Sequence, residues 1–253
     1  MKKIEIWRIC TYFIVYSVIG FLLETTFAFL VYHVIESRQS FLYGPFCSIY
    51  GVGATLMIVI LKGKENNNFK LFLKGMLLGS VAEYILSFLG EKVLGMRFWD
   101  YSHEILNIKG RICLLFSIIW GIAAFILLKF INPKIDEYID RIYKNRESTF
   151  KVLICIIMIF IIIDGTISYL ATNYFIADSA QKYNLDLANE EQVFKIYNFA
   201  QKHPILKEKF DKFATAERII LFLPNVSTVL KDGAQFKLQE LTPEVRNCYI
   251  RFE

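Results

Sequence analysis

The chain has 253 residues, 55% of them apolar, with 23 Phe, 14 Tyr and 3 Trp and a mean hydropathy of +0.41. The apolar share exceeds the roughly 45–50% usual in soluble domains. It is also gathered in long blocks, which excludes disorder, a nucleic-acid-binding domain and a disulfide scaffold. The formal charge of +5 lies wholly in residues 1–176, which hold 18 Lys or Arg against 13 Asp or Glu, while residues 177–253 hold 11 of each. The pattern predicts an all-α polytopic membrane protein: a bundle of about five transmembrane helices in residues 1–176 and a small carboxyl-terminal appendage in 177–253.

The first predicted span runs from Thr11 to Val34. It follows Lys2, Lys3 and Arg8 but is too long for a signal-peptide core. It also contains Glu24 and no small-residue cleavage pattern, so it is expected to be retained. The second, Pro45 to Leu61, is short, begins Tyr43-Gly44-Pro45 and carries Gly51 and Gly53. It is read as a full tilted crossing rather than a re-entrant segment. The third covers Phe69 to Leu89, the fourth Ile112 to Ile131 and the fifth Val152 to Ile176. These three reach or approach the ~20 residues that cross a bilayer as a helix. Pro133 follows the fourth, where a helix can stop without losing an internal hydrogen bond.

Short-loop cations orient the bundle. Lys2, Lys3, Arg8, Lys62, Lys64, Lys70 and six more between Lys129 and Lys151 fall on one side, against Arg38, Lys92, Arg97, Lys109 and Arg111 on the other. The amino terminus is therefore expected in the cytoplasm of a bacterial cell, and five crossings put the tail outside. If the second segment did not cross, the charge advantage would vanish.

Glu24, Glu83 and Asp164 fall inside spans. A charge at the bilayer centre costs at least ~2.5–3.5 kcal/mol, so each is expected to face protein or an aqueous cavity. Gly20 lies four residues before Glu24 and Gly79 four before Glu83, while Ser168 and Thr172 continue the line of Asp164. The four residues form a candidate polar seam of Glu24, Glu83, Asp164 and Ser168, with Gly20, Gly75 and Gly79 as helix-packing positions. The seam has two readings: a solute, proton or ion path, or a set of hydrogen bonds that hold the bundle together.

The loop after the third span is dense in aromatic, acidic and turn residues. Trp99, Asp100, Tyr101, Ser102 and Asn107 form a candidate outer cap, with Asp100 able to accept backbone hydrogens in a turn. Trp99-Asp100-Tyr101-Ser102, Asn107-x-x-Gly110-x-Ile112-Cys113-Leu114 and Ser117-x-x-Trp120-Gly121 resemble the bacterial integral-membrane family of ABC-transporter permeases, type IV. Gly20-x-x-x-Glu24, Tyr43-Gly44-Pro45 and Ile49-Tyr50-Gly51-x-Gly53 match it too, over roughly residues 10–175. Arg111 departs from it, as a bulky charge where a smaller residue is expected. The resemblance implies a transporter component but carries over no substrate and no catalytic residue.

The chain lacks Gly-x-x-x-x-Gly-Lys-Ser/Thr, so an ATP-driven role needs a separate cytoplasmic ATPase subunit. Residues 132–150, with Asp136, Glu137, Asp140 and Arg141, are either its docking helix or a solvated loop. Five spans are few for a monomeric permeation path, which points to a homodimer in the lipid bilayer. The runner-up function is a non-transporting scaffold or sensor that binds a partner through the outer loop and tail.

Cys10, Cys47, Cys113, Cys155 and Cys248 show no metal spacing, and His33, His103 and His203 form no metal motif. No cofactor, metal or catalytic residue is expected. Cys47 and Cys113 are read as packed thiols rather than a disulfide. In the tail, Val193, Phe194, Tyr197 and Ala200 predict one helix before His203-Pro204, and Phe210, Phe213, Ala214 and Glu217 predict another. The apolar run Arg218 to Pro224 is too short to span and is read as a buried strand or a membrane-surface segment. Asn225-Val226-Ser227 is a formal glycosylation sequon, discounted in a bacterial-looking chain.

Overall fold

A computed structural model describes the chain except residues 1–3, 36, 224–225, 238–239, 241–249 and 252–253. Lys2, Lys3, Pro224, Asn225 and Cys248 thus lie outside the described residues. The long helices are α1 (Ile6–Tyr32), α3 (Asn68–Leu89), α4 (Leu114–Ile126) and α5 (Asn132–Tyr183), with the shorter α2 (Ser48–Leu61) between the first two. The tail adds α6 (Glu190–Gln201), α7 (Pro204–Phe213) and α8 (Ala216–Phe222).

Three helical runs are long and apolar enough to cross a membrane: Ile6–Val31, Asn68–Val93 and Leu114–Tyr183. Their apolar side chains mostly face outward; Leu22 and Phe27 on α1, Leu77 and Val81 on α3 and Ile156 and Ile163 on α5 are all exposed. Such a surface suits hydrocarbon and not water. At 14 residues, α2 rises only ~21 Å, short of the ~30 Å hydrocarbon core.

The helix does not stop at Pro133. A π-helical turn at Leu127–Ile131 carries α4 into α5, and the amide of Asn132 bonds the carbonyl of Leu127 five residues back. The wider turn makes room for the proline ring, which would otherwise clash with the preceding turn. Residues 132–150 are therefore helical, and the fourth and fifth predicted spans lie in one run whose backbone departs from helical geometry at Arg146 (φ −148°, ψ 52°).

The chain divides into two compact units, and three of the five divisions fall within α1, α3 and α5. The first comprises Met1–Gly20, Phe46–Ile85 and Tyr101–Ile162. Its core joins Tyr12 and Tyr16 of α1, Met57 and Ile58 of α2, Ala124 of α4, Leu127 and Ile139. Glycines set the helix spacing here. A Cβ on Gly75 would lie 2.2 Å from Ala124 Cβ, one on Gly79 2.5 Å from Trp120 Cβ, and one on Gly20 2.3 Å from Tyr50 Cβ.

The second unit comprises Phe21–Pro45, Leu86–Asp100 and Ile163–Glu253. The end of α5 supplies Ala171, Tyr174, Phe175 and Ala177 to a core completed by Val193, Tyr197, Ala200 and Ile219. Strand β1 (Val34–Ile35) precedes this core. After α3, a π-helical turn at Gly90–Leu94 leads through Gly95 (φ +66°) into β2 (Met96–Arg97). In the tail, β3 (Ser227–Val229) lies antiparallel between β2 and β4 (Gln235–Lys237), and β5 (Ile250–Arg251) pairs with β1. The loop after α3 and the tail therefore share one sheet. The apolar run expected as a strand or surface segment is instead helix α8, with Ile219 and Ile220 buried. Thr215 precedes it in extended conformation and ends the helix pattern that the sequence suggested would run on from α7.

Gly75→Ala should destabilise the folded protein by about 1–3 kcal/mol through overpacking. The double variant Gly75→Ala/Ala124→Gly, which removes the opposing methyl, should recover most of the loss. Thermal unfolding in detergent measures both; equal loss in the single and double variants would contradict the packing.

Candidate functional site

Glu83 is 3% exposed on α3, one turn beyond Gly79. Each of its carboxyl oxygens receives a donor: Tyr101 Oη donates to Oε1 at 3.0 Å and Trp120 Nε1 donates to Oε2 at 3.0 Å. A carboxyl group buried without partners would cost several kcal/mol, so this arrangement is what makes its burial tolerable. Gly79 leaves room for Trp120 to pack directly on α3, since a Cβ there would lie 2.5 Å from Trp120 Cγ. One turn toward the start of each helix, Ser80 Oγ donates to Ser117 Oγ at 2.7 Å, and Ser117 Oγ donates to the Cys113 carbonyl. Cys47 and Cys113 stand just before α2 and α4, buried as thiols.

Tyr101 reaches Glu83 from a loop that is itself tied down. Its amide donates to the Gly110 carbonyl at 2.8 Å, and its ring stacks on Phe116 with centroids 4.5 Å apart. Asn107 organises the turn: its Nδ2 donates to the carbonyls of Ser102 and Glu104, and its Oδ1 accepts from the Gly110 amide. Arg111 is buried, with its guanidinium 5.8 Å from the Tyr84 ring centroid. In the second unit, Trp99 packs beside Phe98, and Asp100 accepts from Gln235 Nε2 at 2.8 Å. The cap residues are thus divided: Tyr101, Ser102 and Asn107 in the first unit, Trp99 and Asp100 in the second.

Asp164 is 1% exposed on α5 and belongs to the second unit. It accepts the amides of Tyr43 at 3.2 Å and Gly44 at 2.8 Å, and Ser168 Oγ accepts the Leu42 amide at 2.9 Å. Two polar side chains one turn apart therefore receive three successive amides of a non-helical segment. Thr172 Oγ1 donates back to the Ser168 carbonyl. Glu24 lies half-buried on α1, also in the second unit, while Glu83 falls in the first. Among the predicted residues, then, Glu83 is joined to Tyr101 and Asp164 to Ser168.

A further cluster in the first unit centres on Asp136, which read in the sequence as part of a charged linker. Its Oδ1 accepts from Tyr12 Oη at 2.5 Å and faces an Arg8 guanidinium nitrogen at 3.4 Å; its Oδ2 accepts from Asn132 Nδ2 at 2.8 Å and from Lys62 Nζ. Arg8 also pairs with Asp140 at 2.7 Å. The start of α1, the end of α2 and the start of α5 are thereby bound to one carboxylate. The alternation of acids and bases in 132–150 was the only trace of this in the sequence, and it did not reveal the partners. Among the described residues no group of three or more His, Cys, Asp or Glu could hold a metal ion.

Glu83→Ala should cost roughly 1–3 kcal/mol for each donor it strands. Glu83→Gln should cost less, because its carbonyl can accept from Trp120 while its amide donates to Tyr101. Asp164→Ala should accelerate hydrogen exchange at Tyr43 and Gly44 by roughly tenfold or more as their amides lose acceptors. Unfolding midpoints and site-resolved exchange measure these effects; unchanged exchange at both amides would refute the Asp164 assignment.

No curated protein and no solved structure matches the chain. A family model described as "Putative ABC-transporter type IV" matches residues 11–169, which take in Glu83, Asp136, Asp164 and every partner of theirs given above except Arg8. This is a membrane protein, and the chain belongs to that ABC-transporter type IV family.

Proposed function

We propose that the chain is the permease subunit of a transporter, driven by a separate cytoplasmic ATPase. The observation that carries this reading is the family match over residues 11–169, the part whose long helices expose apolar side chains. These 253 residues hold no phosphate-binding Gly-x-x-x-x-Gly-Lys-Ser/Thr, so on this reading ATP hydrolysis takes place outside them. We place residues 1–176 in the bacterial cytoplasmic membrane with five crossings, α2 included, the amino terminus inside and residues 177–253 outside. The cation distribution supports that orientation. A homodimer supplies the helices that a permeation path needs.

The helix after Pro133 suits the ATPase. One face is held through Asn132, Asp136 and Ile139, while Glu137, Tyr138 and Arg141 stand exposed on the other. A load applied there is passed through Asp136 to α1 and α2. Within the seam, Glu83 and Asp164 are assigned to holding their units together, since both oxygens of each already accept hydrogen bonds. Glu24, the most accessible of the three acids, is assigned to the solute path. A second reading, a scaffold or sensor, draws on the sheet shared by the loop after α3 and the tail, which makes one extramembrane body.

Capture of the tagged full-length protein from its native membranes should recover an ATPase bearing a phosphate-binding loop. Tyr138→Ala/Arg141→Glu should reduce that recovery by roughly tenfold or more, as expected for the loss of interface anchors. In vesicles holding both subunits, Glu24→Gln should abolish ATP-dependent flux while folded protein persists. Recovery of a stable partner without ATPase activity, and no flux, would overturn the permease reading in favour of the scaffold.

A further inference from the structure

Around the turn between α6 and α7, the second unit carries an open groove of about 570 Å³ whose lining includes Leu170, Phe199, Leu206 and Phe210. A smaller hollow of about 360 Å³ adjoins it and shares Phe199 and Leu206. On its floor Phe210 stacks on the buried Tyr174 with centroids 4.8 Å apart. Phe199, 58% exposed, and Ile205, 75% exposed, stand at the rim.

Lys195 and Lys202 line the groove and Lys209 the adjoining hollow, with no acidic residue in either lining. The neighbouring Lys207 and Lys212 are instead engaged by Asp211 and Glu208, one turn away on α7. The apolar trough is thus edged by cations of a single sign.

The position of Leu170 shows what meets this trough. It lies seven residues after Ile163 on α5, two helical turns along the same face and ~10 Å further on. Ile163 is 53% exposed and belongs to the apolar surface of the membrane-length helix. Ile163 and Leu170 therefore share one face of α5, with Thr166 and Ile167 between them, and the exposed apolar side chains of that face lead toward the groove. An amphiphile lying along that face places its chain against Leu170, Phe199 and Phe210 and its head among the lysines.

We propose that this groove binds an anionic phospholipid of the surrounding bilayer, its acyl chain on Leu170 and Phe199 and its phosphate between Lys195, Lys202 and Lys209. This rests on the reading that residues 152–176 cross the membrane. Apolar contact with the chain is indifferent to headgroup, so the lysines set the preference; each cation near an anionic surface contributes roughly fivefold in affinity.

Native mass spectrometry of the full-length protein, incubated in detergent with phosphatidylglycerol, phosphatidylcholine or oleate, tests the site. Phosphatidylglycerol should be retained at least roughly tenfold more than phosphatidylcholine, with oleate not displacing it. The preference should vanish in Lys195→Gln/Lys202→Gln/Lys209→Gln and persist in the corresponding triple arginine variant. Phe199→Ser should weaken retention of both phospholipids. These exposed positions leave the fold intact, which circular dichroism verifies. Equal retention of the two phospholipids, an unchanged preference in the glutamine variant, or displacement by oleate would overturn the proposal. Alkaline extraction of the native membranes separates the two failures: release of the protein refutes the membrane reading, whereas retention with no lipid preference refutes this site alone.

Discussion

A buried carboxyl group has to be given donors, and at Glu83 that requirement organises much of the first unit. One donor is an indole on α4 and the other a phenol on the loop before it. To bring the indole within 3.0 Å, α4 must run close against α3, which is why Gly75 and Gly79 face Ala124 and Trp120 with no room for a methyl. To hold the phenol, the loop must be stiff, and Asn107 provides that by hydrogen-bonding across its turn from both ends of its amide. The stretches around Tyr101, Asn107 and Trp120 look separate in the sequence. In three dimensions they are parts of one clasp around Glu83, so a change in any one acts on the others.

Asp164 answers the opposite problem, that of backbone rather than side chain. Residues 40–47 lie outside helix and strand, and in an apolar setting their amides would each lack a partner. Asp164 and Ser168 take three of them in succession. The Cys47 amide donates to the Ser17 carbonyl on α1 at 2.9 Å, immediately before α2 begins. Cys47, at the N-cap of α2, makes no side-chain capping bond. The helix's amino-terminal approach is held in place by long-range bonds, and Gly51 seated against Ser17 and Phe13 continues that contact into the helix.

The helices were legible because twenty consecutive apolar residues leave few alternatives in water or lipid. Predicted Phe69–Leu89 differs by a single residue from observed Asn68–Leu89, and Val193 to Ala200 lies within α6. What escaped depends on geometry that composition does not carry. Pro133 reads as a stop because a regular α-helix cannot absorb it, yet a one-residue change in hydrogen-bond register upstream removes the conflict. The run 218–222 is apolar and short, and such runs do not distinguish strand from helix by period. The three acids stood out because charge is rare in a span, but the partners of Glu83 and Asp164 are an indole, a phenol and main-chain amides, none of which a charge pattern can reveal. Asp136 was hidden for the converse reason: among so many charged neighbours, a hub looks like solvated surface.

Asp136 also separates two kinds of polar group in this protein. Glu83 and Asp164 are almost wholly buried and accept from uncharged donors, so moving them would strand polar atoms in an apolar interior. Asp136 retains some exposure, with 15% of its side-chain surface open, and two of its four partners are the cations Arg8 and Lys62. The cluster is largely enclosed, with 23% of the Arg8 and 40% of the Lys62 side chain open and Tyr12 and Asn132 buried, so moving the carboxylate would strand charged and neutral donors together. A motion that shifts the start of α5 against α1 and α2 therefore has to break charged and neutral bonds together at Asp136. The first unit is thus held at two carboxylates, Glu83 through uncharged donors and Asp136 partly through charged ones, and the second lies on the helix whose exposed face presents Tyr138 and Arg141.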